Sequence, residues 1–293
     1  MNYYNEIKDK LIKNEISRKV RDYYANKSDL NTYYEVGKLL SEAGKHYGEG
    51  IIKEYSIKLS KELSKKYNVR YLYDIRRMYN FIKMHPVGAQ LTMSHIRILF
   101  ALKDNDEINY YIKECVNHNY SKRELERIIR NNEYQRLDDQ TKNKLINNVE
   151  LDVCDFIKNP IILNKKHDYE RISELALKEI IMNDLDNFLM ELGNGYLYAG
   201  NEYKIKIGNT YNYIDILLFN IIFNCYVVVE LKLNKLTKQD IGQIMVYMNY
   251  VNDNIKMINQ DKTIGIIVCK ENDKYLIKYS SDPRIHVVNY EIV

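Results

Sequence analysis

Two rhythms divide this chain. Through residues 1–150 apolar side chains recur at three- and four-residue spacing, the period of amphipathic helices. Tyr33 to Glu42, Ile51 to Lys65 and Leu72 to Lys83 carry the pattern most clearly, and shorter helices are predicted at Thr92–Leu102 and Glu107–Val116. The segment His85-Pro86-Val87-Gly88 marks a break. Ser28 or Asp29 is a candidate cap for one helix. Ser121, with Glu124 three residues on, has the spacing of a capping box. A polar stretch from Asn131 to Asn148 leads out of this region.

Beyond it the rhythm shortens. Arg171 to Leu192 predicts one long amphipathic helix with Ile181, Leu185, Phe188 and Leu192 on its stripe, ended by Gly193-Asn194-Gly195. Strands are predicted at 197–207, 211–219 and 225–233, a helix at 238–252, a strand at Thr263–Cys269, and shorter strands at 274–279 and 285–288. The element order is therefore helix, three strands, helix, strand. This gives a helical domain over 1–150 and an α/β domain over 160–293. No internal repeat interrupts either part.

Composition narrows the class. Apolar residues make up 45% and charged residues 29% of 293 positions, a globular balance. Cys115, Cys154, Cys225 and Cys269 are widely spaced with no CxxC pair, which fits a reduced cytoplasmic setting better than a disulfide framework. The start, MNYYNEIKDK, lacks the apolar core of a signal peptide. Residues 213–233 are long enough to span a bilayer, but Asp215, Asn220, Asn224, Glu230 and Lys232 would then lie in hydrocarbon, so strand-turn-strand is the expected form. The formal charge of +4 is uneven: residues 1–150 hold 28 basic and 21 acidic side chains, and residues 51–100 alone hold ten against three. That excess suits either a surface for nucleic acid phosphates or a solvated helical face.

The chemistry concentrates where charge interrupts apolar runs. Asp215 lies inside Ile214-Asp215-Ile216-Leu217-Leu218-Phe219, and Glu230 and Lys232 end Val227-Val228-Val229-Glu230-Leu231-Lys232. Alternation places Glu230 and Lys232 on one side of their strand. A buried charge is costly unless it is paired or binds a metal, and two carboxylates beside a lysine suit metal-assisted phosphodiester hydrolysis. On the next helix Gln243 and Tyr247 are four residues apart, hence on one face, which can be aimed at the same strand ends. Gln243 is placed to hold the lysine or a scissile phosphate, and Tyr247 to contact DNA or brace the site. Other motifs are absent. The six histidines show no zinc spacing, His95 reads as a packed or capping residue, Gly193-x-Gly195 reads as a turn, and no phosphate loop implies ATP.

The pattern Asp215, fourteen residues, Glu230-Leu231-Lys232, with QxxxY on the following helix, resembles the PD-(D/E)XK nuclease superfamily. The closer resemblance is to its YhcG-type family. It is carried by FLMELGNGY (188–196), YIDILLFN (213–220), VVVELK (227–232), IGQIMVYMNY (241–250) and TIGIIVC (263–269). In the first half YYEVGKLLSE, LTMSHIRIL (91–99) and YSKRELERII (120–129) resemble that family's helical domain. The resemblance implies a restriction-endonuclease-like core, a mixed sheet flanked by helices in the order αβββαβ, behind an α-helical N-terminal domain. It implies that Asp215 and Glu230 hold Mg²⁺, or Mn²⁺ in its place, with the Leu231 carbonyl as a third ligand. Lys232 would orient the attacking water, while Gln243 and Tyr247 support the site. The family also places a carboxylate on the first core helix. Here the equivalent position holds Lys178, so Glu179, adjacent, or Glu174, one turn earlier, is expected to serve, and Glu179 is preferred. Asn201-Glu202 stands where the relatives carry Arg-Gln, which removes a phosphate contact and adds an acid.

The expected function is a divalent-metal-dependent deoxyribonuclease whose partner is DNA and not a membrane. Its helical domain would bind substrate or a partner, or mediate self-association. The competing expectation is an inactive DNA- or protein-binding module on a nuclease fold.

Overall fold

The computed structural model describes residues 3–20, 25–63, 67–165, 172–272 and 282–293. The chain forms two compact units, Met1–Tyr134 and Gln135–Val293.

The first unit is helical, as its period requires. It contains α1 (Tyr3–Val20), α2 (Ala25–Tyr47), α3 (Gly50–Glu62), α4 (Val69–Met84), α5 (Met93–Leu99), α6 (Asn105–His118) and α7 (Lys122–Arg130). Val36, Leu40 and Ala43 of α2 are buried, as are Leu72, Ile75 and Met78 of α4, which packs against it. Caps fix several starts. Ser121 and Glu124 exchange hydrogen bonds as the spacing predicts, and His95 closes a second capping box with Thr92. Ser28 and Asp29 lie inside α2 rather than at its start, because the helix begins at Ala25.

The second unit begins earlier than the change of rhythm suggests. The polar stretch 131–148 contains a helix, α8 (Asp139–Asn147), capped by Asp138, and it belongs to this unit. Its single fully buried side chain, Thr141, leaves almost no apolar stripe to read. Strand β1 (Ile161–Leu163) has only three residues, too few to show alternation. The long helix expected at Arg171–Leu192 is two: α9 (Glu174–Asn183) and α10 (Leu185–Leu192), with Asp184 leaving helical geometry at φ −138°, ψ 52°. Residue 171 and the strand expected at 274–279 lie outside the described residues. Then come β2 (Tyr196–Ile207), β3 (Thr210–Asn220), β4 (Cys225–Lys235), α11 (Lys238–Asn254), β5 (Asp261–Glu271) and β6 (Ile285–Ile292).

The six strands form one mixed sheet in the order β1-β6-β5-β4-β3-β2. β2, β3 and β4 are antiparallel neighbours, whereas β4–β5, β5–β6 and β6–β1 are parallel. Helices cover both faces, which is why the central strands read as unbroken apolar runs. Val227, Val229 and Leu231 pack with Leu177, Ile181, Phe188 and Leu192 of α9 and α10. Val228 and Ile267 pack with Ile244, Met248 and Val251 of α11. At Gly265 a Cβ would lie 2.6 Å from Met248 Sδ and 2.8 Å from Ile244 Cδ1, so the close seating of α11 on β5 requires glycine there. No helix among the described residues is long and apolar enough to cross a membrane, and residues 213–233 are the β3–turn–β4 hairpin.

Candidate active site

The β3–β4 ladder pairs Asn220 with Cys225 through Ile216 with Val229. At the next position the side chain of Asp215 replaces backbone pairing: its Oδ2 accepts the Leu231 N–H at 3.0 Å. This brings Asp215 beside Glu230 and Lys232 where the two strands part.

Glu230 is 1% exposed. Burial is the main reason its carboxyl is pushed up to about 8, and the nearby Asp215 charge adds to it, while Lys232 pulls the other way. Its Oε2 accepts from Gln243 Nε2 at 3.3 Å and lies 3.5 Å from Lys232 Nζ. Its Oε1 is buried without a hydrogen-bond partner. A buried carboxylate oxygen left unpaired is costly in a folded protein and fits a cation site.

Gln243 joins the site to α11. It accepts from Lys232 Nζ at 3.4 Å and donates to Glu230 and, at 3.1 Å, to the Tyr247 hydroxyl. Tyr247 is buried, so its bond to Gln243 braces the amide from below. Lys232 also lies 3.7 Å from Asp240 Oδ1. Burial works against its ammonium, yet Glu230, Asp240 and Asp215, with Glu174, outweigh that cost and hold its pKa above the ordinary lysine value. The structure thus gathers Asp215, Glu230, Lys232, Gln243 and Tyr247 into one cluster. Asp240 is an addition. The signal for it was the T-x-x-D capping pattern of Thr237, which fixes the first turn of α11.

The first core helix departs from the expectation. Glu179 is exposed and stands apart from the cluster, because it points about 100° around α9 from its neighbour. Lys178 occupies the site instead: its Nζ lies 3.0 Å from Asp215 Oδ1 and 3.3 Å from Glu202 Oε1. Burial opposes that charge, but Asp215 and Glu202 keep the ammonium's pKa raised. Glu174, one turn before Lys178, is exposed and reaches the cluster only through its charge on Lys232. Glu202 sits at φ 45°, where β2 changes the face it presents. Among the described residues no three His, Cys, Asp or Glu side chains gather closely enough to hold a metal. Two carboxylates, Asp215 and Glu230, are what the cluster offers, a donor set suited to a hard ion that keeps much of its water.

Both halves of the chain are similar to known proteins. Residues 154–293 match the YhcG PDDEXK nuclease domain, and residues 8–136 match the DUF1016 N-terminal domain. The second unit is thus a PD-(D/E)XK nuclease domain. With both matches in sequence, the chain belongs to the YhcG-type nuclease family. A relative from Escherichia coli (strain K12), named "Putative nuclease YhcG", is 25% identical over 286 residues, covering 82% of this chain and 76% of the relative. Two solved structures share parts of the chain. One, a repair endonuclease from Pyrococcus abyssi, is 19% identical over 43% of this chain and 49% of that one, with a TM-score of 0.30. The other, an EndoMS–dsDNA2 complex, is 18% identical over 44% of this chain and 49% of that one, with a TM-score of 0.29. This chain therefore spans about half the length of each.

Proposed function

We propose that this protein is a DNA nuclease that hydrolyses phosphodiester bonds with a divalent ion, Mg²⁺ or Mn²⁺, held by Asp215 and Glu230. The observation that carries the reading is the unpaired, buried Oε1 of Glu230 beside Asp215 and Lys232 at the parting of β3 and β4. When bound, such an ion supplies charge for the phosphate oxygens and acidifies a water. Glu230 and Asp215 fix its place. Lys232, kept protonated by four acids and held by Gln243, orients the attacking water and balances charge developing on the phosphate. Tyr247 keeps Gln243 in register. The helical first unit serves to bind substrate or a partner, or another copy of the chain.

One observation favours a second reading, an inactive binding module. Lys178 places a fixed positive charge against Asp215 where an ion would otherwise sit. The two readings separate in a cleavage screen over linear, circular, single-stranded and branched DNA with Mg²⁺ or Mn²⁺. The enzyme reading expects cutting by the native chain and its loss, by a factor of roughly a hundred or more, in Glu230→Ala and Lys232→Ala. It also expects tighter Mn²⁺ binding in Lys178→Met, measured by calorimetry. DNA binding without cutting of any form, together with no Mn²⁺ binding even in Lys178→Met, establishes the binding module instead.

A further inference from the structure

The side of β3 that carries Asp215 continues away from the site. Alternation puts Tyr213 and Tyr211 on that side, with Ile214 turned into the α11 layer. The register sets Tyr213 opposite Lys204 and Tyr211 opposite Lys206, so two lysines of β2 share the same face. All four side chains are exposed. Tyr211 and Tyr213, at 56% and 53%, are the two most exposed tyrosines among the described residues. Lys204 Nζ lies 3.9 Å from the Tyr211 ring centroid and Lys206 Nζ 6.0 Å, which braces the ring while most of it stays in solvent.

β2 is the edge strand of the sheet, and lysines on an edge discourage the addition of foreign strands. That accounts for the lysines and leaves the tyrosines without a role in the core, since both residues are more than half exposed. Rings standing in solvent beside ammonium groups are what a nucleic acid strand with unpaired bases requires: faces for stacking and charge for phosphates. A duplex keeps its base faces inside the stack and offers them nothing. The array also leads to the site, since strand rise puts Tyr213 about 7 Å and Tyr211 about 13 Å from Asp215. Glu202, next on the same side of β2, would repel a phosphate, but Lys178 at 3.3 Å offsets its charge.

We propose that the outer half of the β2–β3 hairpin, through Tyr211, Tyr213, Lys204 and Lys206, binds single-stranded DNA and leads it to Asp215. The inference rests on the nuclease reading above and names its substrate as unpaired DNA.

The test uses the full-length protein in EDTA, so that nothing is cut, with a labelled thymidine oligonucleotide, a duplex of the same length and the corresponding RNA, read by fluorescence anisotropy. The native chain is expected to bind the single-stranded DNA most tightly. Tyr211→Ala and Tyr213→Ala should each weaken that binding about tenfold, while Tyr→Phe at either position, which keeps the stacking face, stays near native. Lys204→Gln and Lys206→Gln should flatten the salt dependence of single-strand binding, by roughly 0.7 in log–log slope for each phosphate no longer neutralised. The proposal is overturned if the double alanine variant binds the single strand as the native chain does, if the duplex or the RNA binds better, or if no oligonucleotide binds. A parallel cleavage assay with Mg²⁺ keeps the two readings apart. Tyrosine-dependent binding without cutting defeats the nuclease reading alone, and cutting without tyrosine dependence defeats this surface alone.

Discussion

Glu230 shows how one side chain states the problem that the site solves. It is buried, its carboxyl is raised to about 8, and one oxygen has no partner. A carboxyl raised in the folded state from its ordinary value near 4.5 contributes its full stability below that value and loses it as pH rises toward 8. In metal-free protein, Glu230→Gln should therefore become progressively more stable than the native chain between those values. The gain should reach on the order of a few kcal/mol by pH 9, read from urea denaturation in EDTA, and an equal stability difference at pH 5 and pH 9 would refute it. Asp215, Glu230 and Lys232 were legible as residues because charge in an apolar strand is conspicuous. Lys178 was legible as the occupant of its position, but not as a partner of Asp215. Glu179 has the right chemistry and stands next to Lys178, which is what recommends it over Glu174 on sequence alone. A shift of one residue on a helix turns a side chain about 100°, and that alone leaves Glu179 outside the cluster.

Elements matter here through how closely they seat. Gln243 reaches Glu230 and Lys232 only because α11 lies tight against β5, and Gly265 permits that approach. Gly265→Ala should cost about 1–3 kcal/mol in urea denaturation, as an overpacked core position does. It should also slow cleavage, because a displaced α11 moves Gln243 off Lys232. Unchanged stability would show that Met248 and Ile244 yield without moving the helix. The central strands and α11 were readable because their apolar runs are long. The break between α9 and α10 was not, since Ile181, Leu185, Phe188 and Leu192 hold a helical stripe straight across Asp184. Strand β1 gave too few residues to show any period.

The whole molecule divides at Tyr134 and Gln135, inside the polar stretch 131–148 and ahead of α8. Residues just after that division are tied into the nuclease unit. Arg136 forms a two-pronged ion pair with the buried Glu191 of α10 and donates to the Pro160 carbonyl at 2.7 Å. Lys144 of α8 pairs with Asp152 and Asp155. A fragment covering 135–293 should unfold cooperatively. One covering 151–293 should be less stable by about 3–5 kcal/mol, because Glu191 keeps its buried charge without Arg136. Thermal and urea unfolding of the two fragments checks this, and equal stabilities would place the pair outside the folding unit. Short-range pattern established whatever repeats inside one element: helices in the first half, the apolar strands of the sheet, and two acids and a lysine on adjacent strands. Tertiary structure alone decided where the units part, that α8 joins the second, that Lys178 and Asp240 enter the cluster and that Glu179 does not. The reason is physical. Periodicity reports the local geometry of a backbone that repeats every two or 3.6 residues, whereas contacts between elements depend on crossing angle and helical phase, which short-range patterns do not encode.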